Sequence, residues 1–220
     1  VPRKVESSIS SSRWRLWVEF RILGPLEVLA GDRPVPLPRG RGRALLALLV
    51  LNAGKVVLAD SLIDDLWGES APSTARTVLQ GLVFDLRKRL EPNRRRGELP
   101  TVLRTAPPGY VLAVEPTYVD ANRFRRLVEE ARAGEAAERA AKLREALDLW
   151  RGRALADFTY EPFAQREIAA LEELRIAVME DRIDAYLAIP AVPETAGPIA
   201  DLGPAGRGSP GQATQVLSPG

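Results

Sequence analysis

Between Pro72 and Leu90 the chain reads PSTARTVLQGLVFDLRKRL, and this stretch constrains the fold more than any other. Leu79, Val83, Leu86 and Leu90 are spaced by four, three and four, so they form one apolar stripe on a helix. At about 100° per residue the opposite side carries Thr77, Gln80, Gly81, Phe84 and Lys88, with Arg76 and Arg87 on the flank. Such a helix must bury its stripe against other elements. Its polar, basic, partly small-residue face is left outward. Most charged helix faces are simply solvated, and a helix that enters a DNA groove has the same look. The neighbouring segments decide between the two.

Upstream, Val18-Glu-Phe-Arg-Ile-Leu is strand-like, Gly24-Pro25 turns the chain, and Leu26 to Ala30 is extended again. Gly31-Asp32 makes a second turn and Arg33-Pro-Val-Pro-Leu a third extended piece, its prolines suited to an edge. These pieces read as a small antiparallel meander. Gly40 to Asn52 is an apolar helix with Arg39, Arg41 and Arg43 at its start, a placement that opposes the helix dipole and that a nearby anion would explain. Lys55-Val-Val-Leu is a short strand or turn. Asp60 is placed to cap a helix whose buried side is Leu62, Leu66 and Trp67, with Gly68 at its end. Beyond the opening helix come a basic loop, Glu91 to Gly97, and two strand-like runs, Thr101 to Thr105 and Tyr110 to Val114, joined by Ala106-Pro-Pro-Gly as a hairpin. Meander, three helices and a hairpin in this order predict an α+β winged helix-turn-helix. Its third helix would lie in the major groove, with the hairpin beside it on the backbone or minor groove.

The composition removes other classes. The chain has no cysteine and no histidine, so disulfides, Cys/His zinc sites and histidine-based nucleophilic catalysis are all excluded. No carboxylate loop of the calcium-binding type and no complete phosphate-binding loop is present, so neither metal nor cofactor is expected, and Asp64-Asp65 do not converge as a catalytic pair would. The expectation is a non-enzyme. The longest apolar run, Ala44 to Leu51, is too short to span a bilayer. The basic, serine-rich start lacks the apolar core of a signal peptide, and no membrane association is expected. With the lack of cysteine this fits a cytoplasmic protein near the nucleoid. Residues 18–115 carry 14 Lys/Arg against 11 Asp/Glu, and residues 116–188 carry 12 against 15, so a basic module precedes an acidic one.

Four stretches make the resemblance specific: RGRALLALLVLNAGKVV from Arg41, LIDDLWG from Leu62 to Gly68, TVLQGLVFDLRKRLEP from Thr77 to Pro92, and PPGYVL from Pro107 to Leu112. Together they resemble the OmpR-type winged-helix domain, most closely in the form found in the antibiotic regulatory proteins of actinobacteria, the SARP family. Those proteins follow it with a helical bacterial transcriptional activation domain, and so does this chain. Asp120 would cap a helix with Phe124, Leu127, Val128 and Ala131 on one face. Ala140, Leu143, Leu147 and Trp150 mark a second helix, and Phe163 to Leu187 a third with Leu171, Leu174 and Val178 inward. Leu149-Trp-Arg-Gly-Arg-Ala-Leu resembles a characteristic family segment. By resemblance this half is an all-α, tetratricopeptide-like domain, truncated, because the family normally continues with further helices. Residues 189–220 hold six prolines, six glycines and three charged side chains, a composition that predicts disorder, as does the aperiodic stretch 1–17. The domains expected are thus 18–115 for DNA and 116–188 for partial activation.

The site expected from this reading is the third helix and its surroundings. Thr77, Gln80 and Phe84 point outward for base contact, glutamine suiting adenine and an apolar side chain the thymine methyl. Gly81 would permit close backbone approach, or is a tolerated helix glycine. Phe84 has a second reading, burial against the hairpin or a partner subunit. Arg76, Arg87 and Lys88 are phosphate or mixed contacts, the resemblance supporting Arg87 as the arginine of the family's S-R-L-R pattern. It also matches Trp67 to a tryptophan whose indole N–H meets phosphate, although a boundary tryptophan reads the same way. Arg104 is a wing contact, and Arg41 and Arg43 lie where an anion is wanted. Where the family has serine and a basic residue, this chain has Phe84 and Asp85, and a DNA-facing carboxylate would repel phosphate. The resemblance implies an activator of secondary-metabolite genes that binds direct repeats near promoters as a homodimer and recruits RNA polymerase. The other function class is a helical protein-interaction module in which DNA affinity is weak or lost.

Overall fold

A computed structural model of the chain describes residues 18–189; the expectations for 1–17 and for the segment from 190 onward lie outside them. The meander is present as β1 (Val18–Arg21), β2 (Glu27–Ala30) and β3 (Arg33–Pro34), antiparallel in that order. Phe20 pairs with Val28 and Leu29 with Pro34, so alternate residues Val18, Phe20 and Val28 turn to the core. The proline ends the ladder at β3, which is the free edge of this sheet.

Helix α1 (Arg41–Leu51) is apolar nearly all round because it is covered on several sides, with Leu45 through Val50 all buried. Strand β4 (Val56–Leu58) leads into α2 (Ala59–Trp67), and α3 (Ala75–Leu90) lies across both helices. The four stripe residues Leu79, Val83, Leu86 and Leu90 are buried as their spacing requires. The hairpin is β5 (Leu103–Ala106) and β6 (Gly109–Leu112), and β4 joins it to make a second sheet in the order β4-β6-β5. A Cβ on Gly109 would stand 1.9 Å from the Val57 carbonyl oxygen, so this pairing requires glycine at that position.

In the second half, α4 (Asp120–Arg132), α5 (Ala136–Leu147) and α6 (Pro162–Leu187) pack consecutively around Phe124, Leu143, Leu171 and Val178. Leu174 and Trp150 are partly buried at the edge of this core. Trp150 meets Phe124 edge to face at 5.4 Å, while the Arg175 guanidinium sits 4.5 Å over its ring.

Two capping expectations are corrected. Helix α2 begins after Leu58 with no side-chain cap, and Asp60 lies in its first turn, where it favours the dipole and pairs with Arg76. Helix α4 likewise begins after Val119, and Asp120 does not cap it. Asp120 is only 2% exposed, and its two oxygens accept the Ile22 N–H at 2.8 Å and the Leu23 N–H at 3.0 Å. Its carboxylate joins the helical half to the end of β1.

The LWRGRAL segment completes the joint. Arg151 N–H donates to the Leu23 carbonyl and Leu155 N–H to the Ile22 carbonyl, both at 2.8 Å. Asp157 accepts the Leu26 N–H at 2.7 Å. The β1–β2 turn is therefore gripped by the helical half through backbone groups and two carboxylates. All described residues fall in one compact unit.

Candidate nucleic-acid interface

The stripe of α3 faces inward, so its two flanks and its outer face have separate fates. On the hairpin flank, Arg87 Nε donates to the Leu103 carbonyl at 2.9 Å and Nη2 to Thr105 Oγ1 at 2.8 Å. Two of its three nitrogens thus tie α3 to β5. Burial at this seam lowers the Arg87 pKa, with Tyr110 opposing, but an arginine remains charged throughout the physiological range. Nearer the helix start, Arg76 pairs with Asp60 of α2, both side chains well exposed.

On the other flank, Asp85 forms an i,i+4 pair with Arg89 at 2.9 Å, and Arg89 Nη1 donates to the Pro36 carbonyl at 3.0 Å. The expectation of a carboxylate facing DNA is corrected here. Asp85 lies about 100° round the helix from Phe84, on the meander side, with its charge matched by Arg89.

Thr77, Gln80, Gly81, Phe84 and Lys88 are all exposed on the outer face. Phe84 is 65% exposed, so its second reading, burial against the hairpin, does not hold. Lys88 also borders a groove formed with Arg33, Val35 and Pro92 beside β3. Arg104 stands exposed on β5, its Nε donating to the Thr101 carbonyl at 3.1 Å.

The arginines at the start of α1 separate. Arg41 is exposed, and its guanidinium lies 5.2 Å from the centre of the Trp67 ring, near the end of α2. Arg41 and half-buried Trp67 therefore form one cationic, aromatic corner. Arg43 is the correction: its Nη2 bonds Asp157 at 2.8 Å and the Leu26 carbonyl at 2.7 Å. The anion that explains a cation at this helix start is a carboxylate of the chain itself, and Arg43 belongs to the joint.

Sequence reasoning missed Thr105, Arg89 and Asp157, whose roles come from partners distant along the chain. Among the described residues no group of acidic side chains is arranged to hold a metal ion, and no helix is long and apolar enough to cross a membrane.

This architecture matches known families in the same order along the chain. Residues 33–112 match the family model for the C-terminal domain of transcriptional regulatory proteins, and residues 119–202 match the bacterial transcriptional activator domain. Regulatory protein DnrI of Streptomyces peucetius is 38% identical over 77% of this chain and 65% of its own length. Transcriptional regulator RedD of Streptomyces coelicolor is 37% identical over 76% of this chain and 49% of its own length. The chain belongs to the SARP family. This SARP chain also resembles the solved structure of Mycobacterium tuberculosis EmbR in complex with a low-affinity phosphopeptide, with a TM-score of 0.69 and 35% identity, covering 77% of this chain and 45% of that one. The SARP chain thus spans between 65% and 43% of the length of curated relatives including DnrI, RedD and M. tuberculosis EmbR. The activator-domain match runs past Ile189, the last described residue.

Proposed function

We propose that this protein is a sequence-specific, DNA-binding transcriptional regulator, an activator of secondary-metabolite genes in the manner of antibiotic regulators. The observation that carries the reading is the division of labour on α3. Three arginines, Arg76, Arg87 and Arg89, point to Asp60, β5 and Pro36, while the face between them stays open to solvent. A helix held on both flanks with its outer face free is prepared to enter a major groove as a rigid body.

In this reading Gln80 bonds an adenine edge and Thr77 a neighbouring base, while Lys88, Arg104 and the Arg41–Trp67 corner contact phosphate. Arg76, exposed despite its ion pair, adds a phosphate contact, and Arg87 acts by aligning the hairpin with the helix. Gly81 lets the groove wall approach the helix closely. The DNA is double-stranded, with direct repeats near promoters that seat two copies of the chain side by side. RNA polymerase is the partner of the bound pair, and no catalytic role is assigned. The protein acts in the cytoplasm, at the nucleoid. The interaction-module reading drew on a DNA-facing Asp85, and the Arg89 pair removes that premise.

The test is selection of bound duplexes from a random pool with the full chain. Enrichment of a repeated motif is expected, and Gln80→Ala should relax its preference at one position by a factor corresponding to about 1–3 kcal/mol. Absence of any enriched motif would overturn the proposal.

A further inference from the structure

Two residues on the outer face of α3 are each unfavourable in the isolated protein, and neither is explained by packing. Phe84 leaves 65% of its surface in water. Gly81, one turn before it, weakens the helix relative to alanine, yet a Cβ there would meet nothing within 4 Å. No neighbour inside the protein demands the missing side chain. The two positions lie about 60° apart round the helix and about 4.5 Å along it, so the ring projects beside a gap. Around them stand Thr77, Gln80 and Lys88, all exposed and polar. Phe84 is therefore a single apolar projection in a polar face, unlike the contiguous apolar patch of a protein-binding surface.

The geometry points to Phe84 as a specificity-determining residue that reads the 5-methyl group of a thymine in the major groove, with Gly81 allowing the approach. This inference rests on the DNA-binding reading above. A phenyl ring has no donor or acceptor, so it cannot satisfy the polar edges of guanine, adenine or cytosine. The thymine methyl is the apolar feature that major-groove base edges present. The neighbouring arginines at Arg87 and Arg89 are committed to β5 and Pro36, which leaves little cationic readout of guanine at this part of the face. The operator then holds an invariant thymine opposite Phe84, where the family's serine would impose no such requirement.

The test uses the full chain and the duplex enriched from the random pool, with each thymine replaced in turn by deoxyuridine, which removes the methyl and nothing else. The wild-type protein is expected to lose roughly three- to fivefold in affinity at one thymine, the value of one buried methyl-sized group. Phe84→Ala, a change at an exposed position, is expected to bind the thymine duplex more weakly and to show no difference between thymine and uracil there. A wild-type protein indifferent to uracil at every position, or Phe84→Ala that keeps the wild-type discrimination, overturns the inference. So does an enriched motif without an invariant thymine, or a ring wedged between bases, which would ignore the methyl. In each of those cases DNA binding itself stands. A pool that yields no enriched motif overturns the regulator reading and this inference together.

Discussion

Arg87 and Arg43 differ in what surrounds them rather than in kind. Both were plausible phosphate contacts by residue type, and both turn inward to carbonyl oxygens of the chain. Arg87→Ala removes a charged donor from the Leu103 carbonyl and from Thr105, and a loss of about 1–2 kcal/mol in folding stability is expected from chemical denaturation. Its DNA affinity should fall through misalignment of the hairpin, so Arg87→Lys, which keeps the charge but not the two-point fork, should restore little of it. Lys88→Ala is the contrasting case. It should leave stability unchanged and lower the salt slope of binding by about 0.9 per lost phosphate contact.

Asp120 carries a pH signature. Burial raises its pKa, opposed by the N–H groups of Ile22, Leu23 and Ala121 and by Arg151. The folded state therefore holds the proton more tightly than the unfolded chain does. The corresponding stability is fully present below the ordinary aspartate range and is lost as pH rises through the raised value. Denaturation midpoints of wild type and Asp120→Asn should reveal this: the advantage of wild type is greatest in acid and narrows as the pH increases. A gap that widens with pH would contradict the assignment. At this scale the outward face of α3 was legible because a helical period alone places Thr77, Gln80, Phe84 and Lys88. The fate of Arg43 was not, because its partner Asp157 lies 114 residues away.

At the scale of elements, α3 trades stability for its surface. Gly81→Ala adds a side chain into open space, so the helix should gain about 1 kcal/mol while operator affinity falls. Thermal denaturation and duplex titration of the one variant check both halves of that statement. Gly109 behaves oppositely: any side chain there strikes the Val57 carbonyl, and Gly109→Ala should unpair β4 from β6. The helices and the hairpin could be read from their periods and from the turn residues at 106–109. The pairing of β4 with β6 joins Val56 to Val111, and no local pattern announces it. Both misplaced caps share one cause: the type of Asp60 and Asp120 suits a cap, but Arg76 and the end of β1 claim their carboxylates.

At the scale of the whole molecule, the division into a basic and an acidic half suggested separate modules. The charge count is silent about the joint because Ile22, Leu23 and Leu26 contribute it through uncharged backbone groups. Their N–H groups meet Asp120 and Asp157, while Arg151 and Leu155 return bonds to the same turn. The two halves should accordingly unfold together, with far-UV circular dichroism and tryptophan fluorescence giving coincident transitions. Asp157→Ala removes the partner of both Arg43 and Leu26 and should lower the common midpoint by the equivalent of about 1–2 kcal/mol. Because the joint holds the helical half to the DNA-reading half, the orientation of α3 on its operator also fixes where the activation surface stands.

The central claim is that the open face of α3 reads sequence. Its most direct measurement is the affinity of the full chain for the enriched duplex and for a scrambled duplex of equal length and composition, each titrated across salt concentration. The account predicts that the enriched duplex binds about a thousandfold or more tightly at physiological salt, with both affinities falling as salt rises and the preference persisting. Equal affinities for the two duplexes across that range would contradict it.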